Sequence, residues 1–250
     1  MPAASVRAAA AAVAFLTRVP VGRWLVLGPE DVGRGAAFFP VVGAGIGALA
    51  GLAARGLEGP LPSLVAGALG VGLVVGLTGA LHVDALADTA DALGAGDRER
   101  ALEIMRDSRI GSFGAVAVAL AMIVEAAGLG GLAAQGEAVS GFAVAGALSR
   151  SVGPLLAAVL PYARSDRGPG SVLSGRVSAA GAAVGVVLAT GFAVALLGWD
   201  GLMIAGAVGA IAAACGIGCH LWLGGVTGDT LGAATQVAEI AALVLLLGLR

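Results

Sequence analysis

Seven stretches of this chain stay apolar for about twenty residues at a time, and that confines the fold to helices that cross a bilayer. They fall at 36–57, 61–81, 114–134, 138–160, 178–198, 201–223 and 230–249. With 58% hydrophobic and 12% charged residues, and a mean hydropathy of +0.98, no soluble class fits. The expectation is an all-α, polytopic helical bundle with about seven transmembrane helices and amphipathic cytoplasmic segments, forming a single integral domain over 1–250. Within the N-terminal segment 1–35, the apolar stretch 8–27 is shorter and interrupted by Arg18, Pro20 and Arg23, so the segment reads as interfacial or re-entrant. A net charge of −2 leaves no nucleic-acid footprint.

Small residues must carry the packing, because the chain has 43 glycines and only 4% aromatics. Gly43, Gly47 and Gly51 form one ridge for close helix approach, and Gly181 with Gly185 another. Cys215 and Cys219 read as small core residues. All 14 basic residues are arginine, so Schiff-base chemistry and a lysine-dependent phosphate loop are excluded. The arginines alternate along the chain. Arg7, Arg18, Arg23 and Arg34 precede the first span, Arg98, Arg100, Arg106 and Arg109 follow the second, and Arg164, Arg167 and Arg176 follow the fourth. The connections near 58–60, 135–137 and 199–200 carry none, with Arg55 close to one of them. The positive-inside rule puts the arginine-rich side, and with it the 224–229 connection, in the cytoplasm.

Three constellations then face one compartment. Asp84, Asp88 and Asp91 lie within about 60° of one another on a helix, so their carboxylates share a face opposite Leu86 and Leu93. Such a cluster is unfavourable without a cation, and oxygen-only donors suit Mg²⁺. A solvated acidic face is the bland alternative, but no basic residue follows until Arg98. In the 82–113 motif loop, Asp97 reads as an N-cap and Gly111 as a helix stop. Arg106, Asp107 and Arg109 suit phosphate oxygens, whereas Arg98 and Arg100 read mainly as topological anchors. Between the last two spans stands Gly224-Gly-Val-Thr-Gly-Asp-Thr-Leu-Gly-Ala233. Its Thr227, Gly228 and Asp229 lie at the start of the final helix, where N–H groups favour anions or a metal-bridged phosphate. Asp229 also reads as a simple N-cap. Arg150 and Glu239 are charges in mid-span, with Glu125 or the acidic site as the expected partner of Arg150.

The chain resembles the cobalamin synthase family of adenosylcobinamide-GDP ribazoletransferases over nearly its whole length. The residues that carry this are Phe15-Leu-Thr-Arg-Val-Pro20, Arg34-Gly, Phe39-Pro40 and His82-Val-Asp-Ala-Leu-Ala-Asp-Thr-Ala-Asp91. Glu103-Ile-Met-Arg-Asp-Ser-Arg-Ile-Gly111, Arg150, Tyr162-Ala-Arg164 and the 224–233 segment complete the set. The family has glycine where this chain has Ala85 and Ala92, and Gln236 stands where a glutamate is expected. The resemblance implies a Mg²⁺-dependent enzyme of the cell inner membrane, with its site facing the cytoplasm, acting at the final step of cobalamin biosynthesis. Its substrates would be adenosylcobinamide-GDP and α-ribazole or the 5′-phosphate, with GMP released. The lipid bilayer would be a partner, nucleic acid would not, and a homo-oligomer stays open. Asp84, Asp88, Asp91 and Asp229 would hold the metal. Arg34, Arg106, Arg109, Arg150, Thr227 and Gly228 would bind substrate, and Asp107 or His82 would be the general base. His82 joins the site only if the helix begins or bends near Val83, since it lies ~160° from Asp84 on a continuous helix. Two rivals remain. One is another Asp-rich intramembrane transferase of the CDP-alcohol or prenyl type; the other is a transporter using Asp84, Glu125 and Arg150 as coupling charges.

Overall fold

The structure, a computed structural model, describes residues 4–164 and 172–249; Arg167 lies outside them. It contains helices α1 (Ala4–Leu16), α2 (Pro29–Gly35), α3 (Phe39–Leu57), α4 (Ser63–Thr78), α5 (Leu81–Ala92) and α6 (Arg98–Ile104). They are followed by α7 (Ser112–Ala134), α8 (Ala138–Val159), α9 (Ala179–Leu197), α10 (Trp199–Leu223) and α11 (Gly228–Gly248). Six are long and apolar enough to cross a bilayer, α3 (extended by α2) and α7–α11, and α4 with α5 makes a seventh if the bent pair is one span. The protein is therefore a multi-pass membrane bundle. Val41, Leu49, Leu69, Leu120, Ile123, Val187 and Ile217 point outward, an apolar exterior that only lipid tails solvate well.

Glycine sets how close the helices come. A Cβ on Gly43, Gly47 or Gly51 would collide with the backbone carbonyls of Gly146, Phe142 and Ala138 on α8, so α3 and α8 touch main chain to main chain. On α4 and α7, Gly67 and Gly130 do the same against Ala126 and Ser63. The expected Gly181–Gly185 ridge is half right. Gly185 packs on Ala36 and Ala37, whereas Gly181 merely donates its N–H to the N-cap Ser178. Helix α8 runs through the centre, its residues buried almost throughout, among them Ser149, Arg150 and Ser151.

One break positions the site. Helix α4 ends at Gly79 and Ala80, both left-handed (φ +64° and +60°), and α5 leaves at 91°. Any Cβ at Gly79 would strike the Arg18 guanidinium, and the Arg18 N–H donates to the Leu77 carbonyl at 2.7 Å. The N-terminal segment is thus built into the bundle. Helix α1 buries Ala8, Ala11, Ala12 and Leu16, and Arg7 ties it to Asp31 of α2 at 2.6 Å.

Candidate active site

The 91° turn brings the first residues of α5 onto α11. Ala85 packs so tightly on Gly232 that a Cβ there would clash with the alanine methyl. The alanine at 85 is accommodated because its neighbour across the interface has no side chain. His82, buried in the first turn of α5, joins Asp84 in lining one cavity of about 220 Å³. A helix that begins at Leu81 therefore satisfies the condition for His82 to enter the site. Arg150, Arg164, Gly228 and Asp229 line the same cavity.

Asp229 is not the N-cap of α11. Thr227 is: its hydroxyl accepts from the Thr230 N–H at 3.2 Å, while the Thr230 hydroxyl accepts from the Thr227 N–H at 2.8 Å. Fully buried and committed to this box, Thr227 positions Asp229 rather than lining the cavity. Asp229 pairs with Arg164 at 2.8 Å. The Arg164 side chain is 8% exposed, and its Nε finds no partner among the described residues. A buried guanidinium with a spare donor, beside a cavity, is suited to an incoming anion. The sequence marks Arg164 as a topological charge and as part of a motif; its chemistry depends on Asp229, 65 positions away, which spacing cannot reveal.

A set of tertiary bonds holds Arg164 there. Val226 donates to the Pro161 carbonyl at 2.9 Å, Ala163 donates to the Val226 carbonyl at 2.8 Å, and a Cβ on Gly225 would strike the Pro161 carbonyl. Arg98 donates from Nε to the Leu223 carbonyl at 2.8 Å and from a terminal nitrogen to the Ala163 carbonyl at 2.6 Å. Its expected role as a mere topological charge is therefore corrected. It clamps the end of α10 to the strand-like segment next to Arg164.

The aspartate triad divides. Asp91 accepts from the N–H groups of Gly111 and Gly114 at 2.7 and 2.8 Å, so it caps the start of α7. Accordingly Gly111 opens α7 instead of stopping the preceding helix, which ends at Ile104. Asp97 is the N-cap of α6 as expected, accepting from the Arg100 N–H at 2.8 Å. Leu93 is 67% exposed, and His82, Ala85, Ala87 and Ala92 form the buried face of α5. Asp88 lies within electrostatic reach of the carboxylates of Asp84, Asp229 and Asp91 and of one guanidinium, Arg164. Among the described residues, no three Asp, Glu, His or Cys side chains stand close enough to enclose a metal ion by themselves.

The 105–110 loop is organised differently from the sequence expectation. Arg109, 87% exposed, donates to Asp107 through Nε at 2.9 Å. This contact holds the Asp107 carboxyl down at about 2. Asp107, Arg106 and Arg109 do not line the cavity, and neither does Arg34, which reaches Glu30 at 3.5 Å in solvent.

Beneath the cavity, Arg150 pairs with Glu239 and donates to the Ser149 hydroxyl at 2.9 Å. Glu125, one of the two expected partners, instead accepts from the Gln236 amide at 2.5 Å. Glutamine at 236 thus supplies a neutral donor to a carboxyl that a glutamate would have repelled. His82, Glu125, Arg150, Gln236 and Glu239 border a second, narrower cavity.

The sequence was compared with known proteins. A family profile described as Cobalamin-5-phosphate synthase matches residues 8–247. Relatives named adenosylcobinamide-GDP ribazoletransferase include one from Azorhizobium caulinodans, 42% identical over 248 residues (94% of this chain, 92% of the relative). Others are from Syntrophobacter fumaroxidans, 38% identical over 236 residues (92% and 93%), and Pseudomonas aeruginosa, 38% identical over 252 residues (97% and 98%). No solved structure matches.

Proposed function

Because the chain belongs to the cobalamin-5-phosphate synthase family, we propose that it joins adenosylcobinamide-GDP to α-ribazole, or to the 5′-phosphate, and releases GMP. A free ribose hydroxyl of the ribazole, which in the 5′-phosphate cannot be the 5′ one, attacks the phosphorus attached to cobinamide. A new P–O bond forms there, the bond to the GMP phosphate breaks with its electron pair, and the hydroxyl proton is lost. The observation that carries this reading is the convergence of Asp84 on α5 and Asp229 on α11, 145 positions apart, in one cavity with Arg150 and Arg164.

The donor set fits a magnesium ion. Around Asp88 three carboxylates face one guanidinium, an excess of negative charge that a cation relieves. Mg²⁺ commonly takes one or two carboxylates and completes its shell with water and substrate phosphates, so a cage of three protein ligands is not required. We assign it to the carboxylates of Asp84, Asp88 and Asp229, one or two of them as direct ligands and the rest through water, with Asp91 held back by its bonds to α7. Bound there, the ion would neutralise pyrophosphate charge.

Arg164 would bind phosphate through its spare Nε donor, and Arg150 would contribute positive potential from below. Transfer of this kind depends mainly on positioning and charge neutralisation. Of the two candidate bases, His82 lines the cavity, whereas Asp107 is exposed and ion-paired, so His82 is the one we assign to the hydroxyl. Arg106 and Arg109 belong to a loop that would approach the GMP end of the donor. We place this site on the cytoplasmic side, on the strength of the arginine alternation.

The deciding experiment is incubation of the purified protein, reconstituted in lipid, with adenosylcobinamide-GDP, α-ribazole and Mg²⁺. GMP and a cobalamin product in equal amounts are expected. No GMP above a protein-free control would overturn the assignment.

A further inference from the structure

The cavity has both charged and apolar lining, and that mixture says which substrate enters it. Its charged lining residues are Asp84, Arg150, Arg164 and Asp229. Phe15, Leu16, Phe39, Pro154 and Leu173 supply an apolar wall, with Leu81 half-exposed among the lining residues. Phe15 and Phe39 are stacked, their ring centroids 5.3 Å apart at 23°, which makes them one aromatic unit of the wall. We propose that this wall is the subsite for the base of α-ribazole, so that the ribazole lies in the cavity and the corrinoid stays outside it. The inference rests on the transferase reading above.

Three arguments support the choice of occupant. The first is size. A cavity of about 220 Å³ suits one bicyclic base with its ribose and is far too small for a corrin macrocycle with its side arms. The second is polarity. Guanine and the adenine of the adenosyl group, the other planar bases in the reaction, carry donors and acceptors along their edges, and burying them against aliphatic and phenyl groups would leave them unsatisfied. A dimethylated benzimidazole has an apolar edge, so the same wall favours it by simple burial and stacking. The third is direction. Phe15 and Phe39 line the same cavity as Asp84, Arg164 and Asp229, so a base against the rings keeps its ribose in the cavity that holds the charged groups, as attack on a phosphate there requires.

The wall also gives the N-terminal helix a reason to be built into the bundle. Phe15 reaches the cavity because the Arg18 backbone is fastened to Leu77 at the end of α4. An interfacial segment free of that bond would present no ring.

Michaelis constants for each substrate would test the proposal, using Phe15→Ala and, at the half-exposed rim, Leu81→Trp. Losing base stacking should raise the KM for α-ribazole about tenfold in Phe15→Ala. Leu81→Trp, which crowds the cavity from a tolerant position, should raise it as well. The KM for adenosylcobinamide-GDP should stay within about twofold. Fluorescence titration of α-ribazole alone against the detergent-solubilised protein should show the same weakening. A rise confined to adenosylcobinamide-GDP, or no change in either constant while turnover persists, overturns the subsite and leaves the activity standing. Binding of α-ribazole that Phe15→Ala and Leu81→Trp weaken, in a protein that releases no GMP, would sink the activity and retain the subsite. If Phe15→Ala does not fold, Leu81→Trp decides alone.

Discussion

Asp91 engages both carboxylate oxygens with the N–H groups of Gly111 and Gly114, whereas Asp84 lies against the cavity. Two neighbours on one helix face therefore have different work. Asp84→Asn or Asp88→Asn should abolish GMP release while the protein still inserts and extracts normally, and excess chelator should do the same to the parent. Full activity in either variant would rule out the metal site. Asp91→Ala should instead cost about 1–2 kcal/mol of stability through the lost cap. Thermal unfolding in detergent, set beside turnover per folded molecule, separates the two roles. If Asp91→Ala unfolds like the parent but has no turnover, the carboxylate is a ligand after all. Asp107 gives a pH prediction. Its carboxyl sits at about 2, below the ordinary range, because the Arg109 guanidinium stabilises the ionised form. The ion pair is then intact above pH ~4 and is lost only as pH falls toward 2. Asp107→Asn should leave the acid limb of the rate profile above pH 5 where it is. A limb that shifts would make Asp107 a working base.

Among the elements, the piece that matters most is the short segment 161–164, which belongs to no helix. Its shape comes from Val226, Gly225 and the two bonds of Arg98. Arg98→Gln removes two charge-assisted bonds to carbonyls, each worth about 1.5–3 kcal/mol when shielded and less at this partly exposed position. Turnover should fall clearly further than in Arg100→Gln, whose arginine merely pairs with exposed Glu103 at 2.9 Å. The same variants should lower the midpoint of thermal unfolding in the same order. Equal turnover in the two would mean that Arg98 is only a charge on the cytoplasmic side.

For the whole molecule, orientation is the quantity still to be measured. Cysteines introduced at Ser108 and Gln135, both exposed, in a background lacking Cys215 and Cys219, should label from opposite faces. Ser108 should react only from the cytoplasmic side and Gln135 only from outside. Labelling of both from one face would contradict the arginine-derived topology and the placement of the site.

Sequence alone determined that the chain is a bundle of apolar helices and where most of them run, because a bilayer accepts a backbone only if its hydrogen bonds close within each helix, whereas the expected 61–81 span breaks after Thr78. Predicted 138–160 and 201–223 became α8 and α10 almost residue for residue. It also pointed to Asp84 and Asp229, which the fold brings to one cavity. Only the tertiary structure decided how each is used. The 91° break at Gly79 and Ala80 brought His82 to the cavity. Asp91 was drawn to the start of α7, and Glu239 rather than Glu125 met Arg150. Asp229 gained Arg164, and α1 supplied an aromatic wall. The physical reason is the same in each case. Periodicity and hydropathy are properties of one segment, but the partner of a carboxylate or a guanidinium lies on another helix. Which partner is reached depends on how closely glycine lets the backbones approach.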